Sequence, residues 1–401
     1  MKITELFKGK AGLFFTVNAL ASIGLNIGVV GVNWFIISST GQNEVLGIYG
    51  ALSLAVSFIT LVLAGSFTDK YNKVAIMKYC CLGQALLFFF TAACCVLGVP
   101  AIYIIYALAL LNMPCMVIFI TVSRGAIPAV WDKSELSKGN SIIEITIQAG
   151  AMFAALLTGF LYHAFGFSLL IFVGAVLTFA AYLLLGKSKY SFDYELPAKE
   201  GFLLNIKRGI AYLRGRKDIF FYGLVVFVPT VVISASNTVI PGYVEQYLGG
   251  GAMIYGLGDM IFAVGAMLAG FLAHRFISAS RRPLWQNILF AVGAFSLFLF
   301  VTNKNIYFFL INIFITGVAI AGLRVLLNTG FMEAVKGEYL GRSLSLLMAL
   351  SMAVQALLSY IIGFIMDAWK VTGGYWVLIG LMVLGMAGLG VIRLGSSKTS
   401  C

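Results

Sequence analysis

Runs of about 20 apolar residues, the length that carries a helix across a hydrocarbon layer, recur twelve times along this chain. They fall near 11–38, 45–66, 74–97, 101–123, 141–163, 167–186, 219–244, 253–273, 284–302, 305–328, 343–366 and 373–394. Inside lipid every backbone N–H and C=O must find a partner within the protein, so only helices or a closed barrel can span. Runs this long specify helices, and twelve of them bring both termini to one side. Composition agrees: 61% of the 401 residues are hydrophobic and 10% charged, with a mean hydropathy of +1.00. A soluble domain does not carry that balance, so the expected fold is an all-α membrane protein.

The placement of the basic residues explains the net charge of +12 and orients the chain. With both termini cytoplasmic, 25 of the 27 lysines and arginines lie on the inner side and only Lys304 and Lys370 lie outside. That is the asymmetry by which membrane proteins orient, and the membrane expected for this chain is a bacterial inner membrane. Bases spread along one membrane face do not build a groove-reading surface, so nucleic acid is excluded as a partner. The first ten residues carry Lys2, Lys8 and Lys10 without the short apolar core and cleavage site of a removable signal.

Catalytic, metal and cofactor chemistry has no foothold in the sequence. Of the six cysteines, Cys80, Cys81, Cys94, Cys95, Cys115 and Cys401, two pairs are adjacent and five lie in or beside apolar runs, the pattern of helix packing. Neither His163 nor His274 has a partner at metal-ligand spacing. There is no G-x-x-x-x-G-K-S/T loop and no H-E-x-x-H pair. No cofactor, metal or enzymatic activity is therefore expected.

The chain is written twice. A shift of 205 residues lays Leu63-Ala64-Gly65 on Leu268-Ala269-Gly270 and Ala129-Val130 on Ala334-Val335. After a one-residue deletion Gly159-Phe160 falls on Gly363-Phe364. Such a repeat is how transporters built from two similar halves appear in sequence. It divides the chain into an N-terminal six-helix bundle over 1–186, a cytoplasmic linker over 187–218 and a C-terminal six-helix bundle over 219–401. Within the linker, Phe202, Ile206, Ile210 and Leu213 share one helical face, which reads as an amphipathic helix on the inner leaflet.

Polar side chains inside spans are costly and so mark function or helix packing. Asn18, Ser22, Asn26 and Asn33 fall on one face of the first span, either lining a substrate cavity or bonding to a neighbouring helix. Gln148, Asn237 and Arg324 join them as cavity candidates. Arg324 either offers a fork to an anionic substrate group or snorkels to the interface. Two acids are candidates for proton coupling. Asp259 sits about seven residues into the eighth span, among Gly256, Leu257, Gly258, Met260 and Ile261, which offer no cation. Glu144 lies a turn into the fifth span and is either a second coupling group or an interfacial residue.

The hairpin Gly65-Ser66-Phe67-Thr68-Asp69-Lys70-Tyr71-Asn72-Lys73 resembles the loop between helices 2 and 3 of the major facilitator superfamily. It keeps Gly65, Asp69, Lys70 and Lys73, with Asn72 at the usual glycine and Val74 at the last basic position. Asp132 to Ser141 and Glu338-Tyr339-Leu340-Gly341-Arg342 are similar to the macrolide-efflux-like branch, which includes siderophore exporters. The resemblance implies twelve helices in two pseudo-symmetric six-helix bundles around a central cavity, working by alternating access. It also implies a cytoplasmic gate in which Asp69 faces the start of the eleventh helix near Arg342. The branch's antiporter pattern in the fifth span is altered here, with Ala154, Ala155 and Thr158 in place of glycine, proline and glycine.

These features together point to a monomeric secondary transporter that exports a small amphipathic compound, drug-like or a siderophore, with protons as coupling ion. Uptake of a siderophore or other small organic anion is the alternative within that class. A membrane receptor or assembly factor that moves nothing is the alternative outside it.

Overall fold

The computed structural model describes residues 9–67, 71–98, 102–131, 136–187, 210, 212–276, 279–335 and 337–398. Among these, ten helices are long and apolar enough to cross a membrane. In chain order the helices are α1 (Gly9–Thr40), α2 (Asn43–Phe67), α3 (Lys73–Val96), α4 (Ile102–Gly125), the short α5 (Ile127–Val130), α6 (Leu136–Gly186), α7 (Lys217–Gly242), α8 (Ala252–Phe276), α9 (Arg282–Thr302), α10 (Ile306–Ala334), α11 (Gly337–Ala368) and α12 (Gly373–Lys398). The 51-residue α6 is two spans joined through Gly166, whose φ of 79° and ψ of −177° no helix contains. Only glycine takes that conformation without strain. Counting α6 as two spans and including α4 gives twelve, at the positions the apolar runs specify.

Local chemistry sets the ends of the rods. The Asn72 side chain accepts from the Ala75 N–H at 2.8 Å and starts α3, and Asn305 accepts from the Phe308 N–H at 3.1 Å and starts α10. Amide caps of this kind satisfy N–H groups that a helix start leaves unpaired. Pro241 removes a backbone donor near the end of α7, and the chain widens there into a π-helical turn over Tyr243–Tyr247. Between α1 and α2 the chain reverses through Gly41 at a φ of 64°.

The chain packs as two compact units that do not coincide with the two sequence halves. The first holds Met1–Ile36, Val56–Lys199 and Gly251–Met260, and the second Ile37–Ala55, Glu200–Gly250 and Ile261–Cys401. The beginning of α2 thus packs with elements of the second half of the sequence, and the beginning of α8 with elements of the first. Most of the expected amphipathic linker helix lies outside the described residues. Its end docks in the second unit, where Tyr212 stacks on Tyr339 with centroids 4.3 Å apart.

Each unit has its own apolar core. In the first, Phe14, Val17 and Ala21 of α1 pack on Met77 and Cys81 of α3, Phe119 of α4 and Trp131. In the second, Tyr243, Phe300, Phe309 and Tyr375 form an aromatic cluster, with the Tyr243 hydroxyl donating to the Phe300 carbonyl at 2.8 Å. Large side chains such as Ile59, Leu63, Phe271 and Tyr307 are exposed on the rods. A soluble surface does not present so much apolar area, whereas one facing lipid does.

Several helix crossings bring backbone to backbone, among them α8 with α10, where a Cβ on Gly265 would lie 2.5 Å from the Phe314 carbonyl oxygen. Where α6 meets α8 in the first unit, a Cβ on Gly256 would lie 2.3 Å from the Ala155 carbonyl oxygen and 2.8 Å from the Gly159 Cα. Where α2 meets α11 in the second, a Cβ on Gly363 would lie 2.5 Å from the Asn43 carbonyl oxygen, and one on Gly47 2.5 Å from that of Ser359. Small residues let membrane helices approach this closely. Gly159 and Gly363 are the positions that the internal repeat superposes, so the same device is used twice.

Candidate functional site

Asp259 lies one turn after Tyr255 on α8, so the two side chains share a face. The Tyr255 hydroxyl donates to the Asp259 carboxylate, and the Asn33 side-chain amide on α1 donates to the Tyr255 oxygen. Trp34, the next residue of α1, stacks on the Tyr255 ring with centroids 5.3 Å apart and planes at 20°. Tyr255, Asn33 and Trp34 are buried, and Asp259 is half-buried. All four belong to the first unit. Among the described residues no cation pairs with Asp259, so the carboxyl is held by a neutral hydroxyl. A group so placed can change its protonation state without breaking an ion pair.

The other polar positions of α1 are arranged differently. Asn18 donates to the Phe14 carbonyl at 2.8 Å and Asn26 to the Ser22 carbonyl at 2.7 Å, so both amides bond back to their own helix. Ser22 is buried against α6, where a Cβ on Gly150 would lie 2.5 Å from the Ser22 Cβ. At Ser22 the polar stripe is therefore a helix contact. Only Asn33 of the four is joined to the acid. Gln148 on α6 and Arg324 on α10 are half-buried, and Asn237 on α7 is exposed.

Glu144 sits in an exposed ion pair, accepting from the Arg124 guanidinium at 2.6 Å with both side chains 54% exposed. Solvated pairs of this sort contribute little. Glu144→Gln should accordingly leave transport within about twofold of the parent, since exposed ion pairs are worth at most about 1 kcal/mol. A larger loss in vesicle flux would return Glu144 to the coupling machinery.

At the expected cytoplasmic gate, Asp69 and Lys70 lie outside the described residues, and Gly65 is described only as part of α2. Lys73 is buried at the start of α3, its stem beside Gly125. Arg342 lies on α11 with its guanidinium 5.8 Å from the centroid of Tyr339.

Sequence reasoning passed over Tyr255 and Trp34. The four-residue spacing of Tyr255 and Asp259 was the available signal, because a phenol one turn from an intramembrane acid is its nearest neutral donor. A cleft of about 190 Å³ between α7, α11 and α12, lined by Phe227, Val231, Leu347 and Val354 with Ser351 as its one polar side chain, is too apolar to fix a polar cargo.

Comparison with known proteins converges on one family. Residues 14–303, more than half of the chain, match the profile of the Major Facilitator Superfamily. The staphyloferrin A transporter of Staphylococcus aureus (strain NCTC 8325 / PS 47) is 24% identical over 352 residues, covering 84% of each chain. Among solved structures, the nucleoside transporter NupG is similar over 95% of this chain and 99% of its own, with a TM-score of 0.75 at 13% identity. The human organic anion transporter MFSD10 is similar over 94% and 98%, with a TM-score of 0.65 at 13% identity. At these identities the structures establish the fold.

Proposed function

Because this chain belongs to the Major Facilitator Superfamily, we propose that it is a secondary transporter that exports a small amphipathic compound by alternating access, driven by protons. A siderophore stands first among the cargoes, since a relative is named for carrying staphyloferrin A. The half-buried Arg324 favours a carboxylate-bearing cargo over a neutral one. The observation that carries the coupling is Asp259, held by the neutral Tyr255 hydroxyl inside an apolar helix. Charge at that depth costs free energy, so binding and release of a proton there changes which conformation the helix favours.

Inside-out vesicles bearing the purified protein should accumulate staphyloferrin A when their lumen is acidified, and accumulation should collapse when a protonophore removes the gradient. Accumulation by right-side-out vesicles alone would establish uptake instead. Binding without flux in either orientation would make the protein a receptor.

On this proposal the protein sits in a bacterial inner membrane with both termini cytoplasmic and acts as a monomer. A reporter active only outside the cytoplasm should give signal when fused after Gly41 and none when fused after Lys199, because the basic residues concentrate on the inner side. The reverse pattern would overturn the orientation.

A further inference from the structure

The geometry points to Asp367 as a releasable latch that holds the outer end of the α2–α11 crossing shut and must let go for that end to open. The inference rests on the alternating-access reading and on the orientation given above.

Asp367 lies in the last turn of α11, 324 positions from the helix it caps. One carboxylate oxygen accepts from the Asn43 backbone N–H at 3.0 Å and from the Asn43 side-chain amide at 2.7 Å. The other accepts from the Glu44 N–H at 2.7 Å. Gln246, in the π-helical turn after α7, completes the arrangement. Its side-chain oxygen accepts from the Asn43 amide at 2.9 Å, and its amide donates to the Gly41 carbonyl at 2.9 Å. The first N–H groups of α2 have no partner within their own helix and carry the positive end of its dipole. A carboxylate from another helix satisfies both needs at once. All of these residues belong to the second unit.

What lies behind the cap explains why the cap matters. The crossing is lined by Gly47, Gly50, Ser359 and Gly363, with one hydroxyl pair, Thr238 and Ser359 at 2.8 Å. That close approach holds the middle of the crossing, and the carboxylate bonds hold its end. They are also partly open to water, as the contact with the Glu44 N–H is exposed. Bonds that water can replace have a modest net value, which suits a contact made and broken in each cycle.

The internal repeat provides a comparison within the same molecule. The superposition that lays Gly159 on Gly363 lays His163 on Asp367. The α6–α8 crossing therefore has the same glycine contact but carries an exposed histidine where the α2–α11 crossing carries its carboxylate. Of the two copies, only one has an acid at the capping position.

The test reads opening directly. Ser359 is buried in the crossing, so in full-length protein carrying Ser359→Cys the reaction of that position with a membrane-impermeant maleimide, followed by peptide mass spectrometry, reports opening without any cargo. Adding Asp367→Ala should raise the initial labelling rate about tenfold, the factor a capping side chain is worth at a helix start. Asp367→Asn should raise it by a smaller factor, and Asp367→Glu should return it toward the parent rate. Gln246→Ala, which removes the second set of bonds and leaves Asp367 in place, should raise it as well. Unchanged labelling in both Asp367→Ala and Gln246→Ala would overturn the latch even if the parent transports staphyloferrin A. Raised labelling in a protein that moves no cargo would leave the latch standing and remove the transport reading.

Discussion

Asp259→Asn is expected to reduce staphyloferrin A accumulation driven by a pH gradient to the level of empty vesicles, while cargo binding persists. Asparagine keeps the size of the side chain and still accepts from the Tyr255 hydroxyl, so the Asn33–Tyr255 contact and the Trp34 stack should survive. What it removes is the exchange between a neutral and a charged form. Among the described residues no cation pairs with Asp259, so the substitution strands no partner charge. Tyr255→Phe separates the two contributions: the acid remains but loses its donor and its tie to α1, so transport should fall partway and its pH profile should shift. The measurement is initial flux across an imposed gradient, set against equilibrium binding of the same cargo. Uphill accumulation by Asp259→Asn protein under a proton gradient alone would remove Asp259 from the coupling step.

The same residue shows why some of this molecule was legible in its sequence and some was not. Asp259 stands out because a charge inside an apolar run violates the composition of a span, and the cost of that violation marks it. The spans were legible for a related reason, since membrane thickness fixes their length. The run at 219–244 became α7 at Lys217–Gly242 with its π-helical extension, and that at 305–328 became α10 at Ile306–Ala334. Tyr255 and Trp34 carried no such mark, because an aromatic residue in an apolar helix looks the same whether it faces lipid, core or an acid. The break inside α6 was legible as the gap between the runs at 141–163 and 167–186; what the sequence hid is that no loop separates them, because Ala164 and Phe165 continue the helix and the chain turns only at Gly166.

Long-range pairing was the least legible feature. Asp367 lies at the end of an apolar run and reads alone as an interfacial acid, and Asn43 reads as a loop residue. Their bond spans 324 positions, and no local period records it. The stripe on α1 shows a different limit. Its period was correct, but period does not tell a face that bonds back to its own backbone, as Asn18 and Asn26 do, from one that meets a ligand. The division into two halves followed the repeat, whereas packing follows proximity, and the starts of α2 and α8 pack with elements of the opposite halves.

Gly256→Ala should be as damaging as loss of the acid, although it removes no polar group. The new Cβ would sit 2.3 Å from the Ala155 carbonyl oxygen and 2.8 Å from the Gly159 backbone nitrogen and Cα. These are backbone atoms of a packed helix and cannot rotate aside, so α6 and α8 must part. Overpacking of this kind costs about 1–3 kcal/mol, which exceeds the gain of up to about 1 kcal/mol from replacing a helical glycine with alanine. Tyr255 precedes Gly256 in the chain, so a helix forced outward carries the phenol with it. A hydrogen bond does not survive a displacement of about 1 Å from ideal geometry, and the link between Asn33 and Asp259 opens. The expected result is a lower melting temperature together with loss of gradient-driven flux. Gly159→Ala should be milder, because its Cβ meets the Ala252 carbonyl oxygen at 3.2 Å and the Gly256 Cα at 3.3 Å. Gly380→Ala on α12, with nothing within 4 Å of the added carbon, should melt no lower than the parent and transport normally. If Gly256→Ala matches the parent in both melting and flux, the close approach of α6 and α8 does not hold Tyr255 against Asp259, and the acid must be positioned by α8 alone.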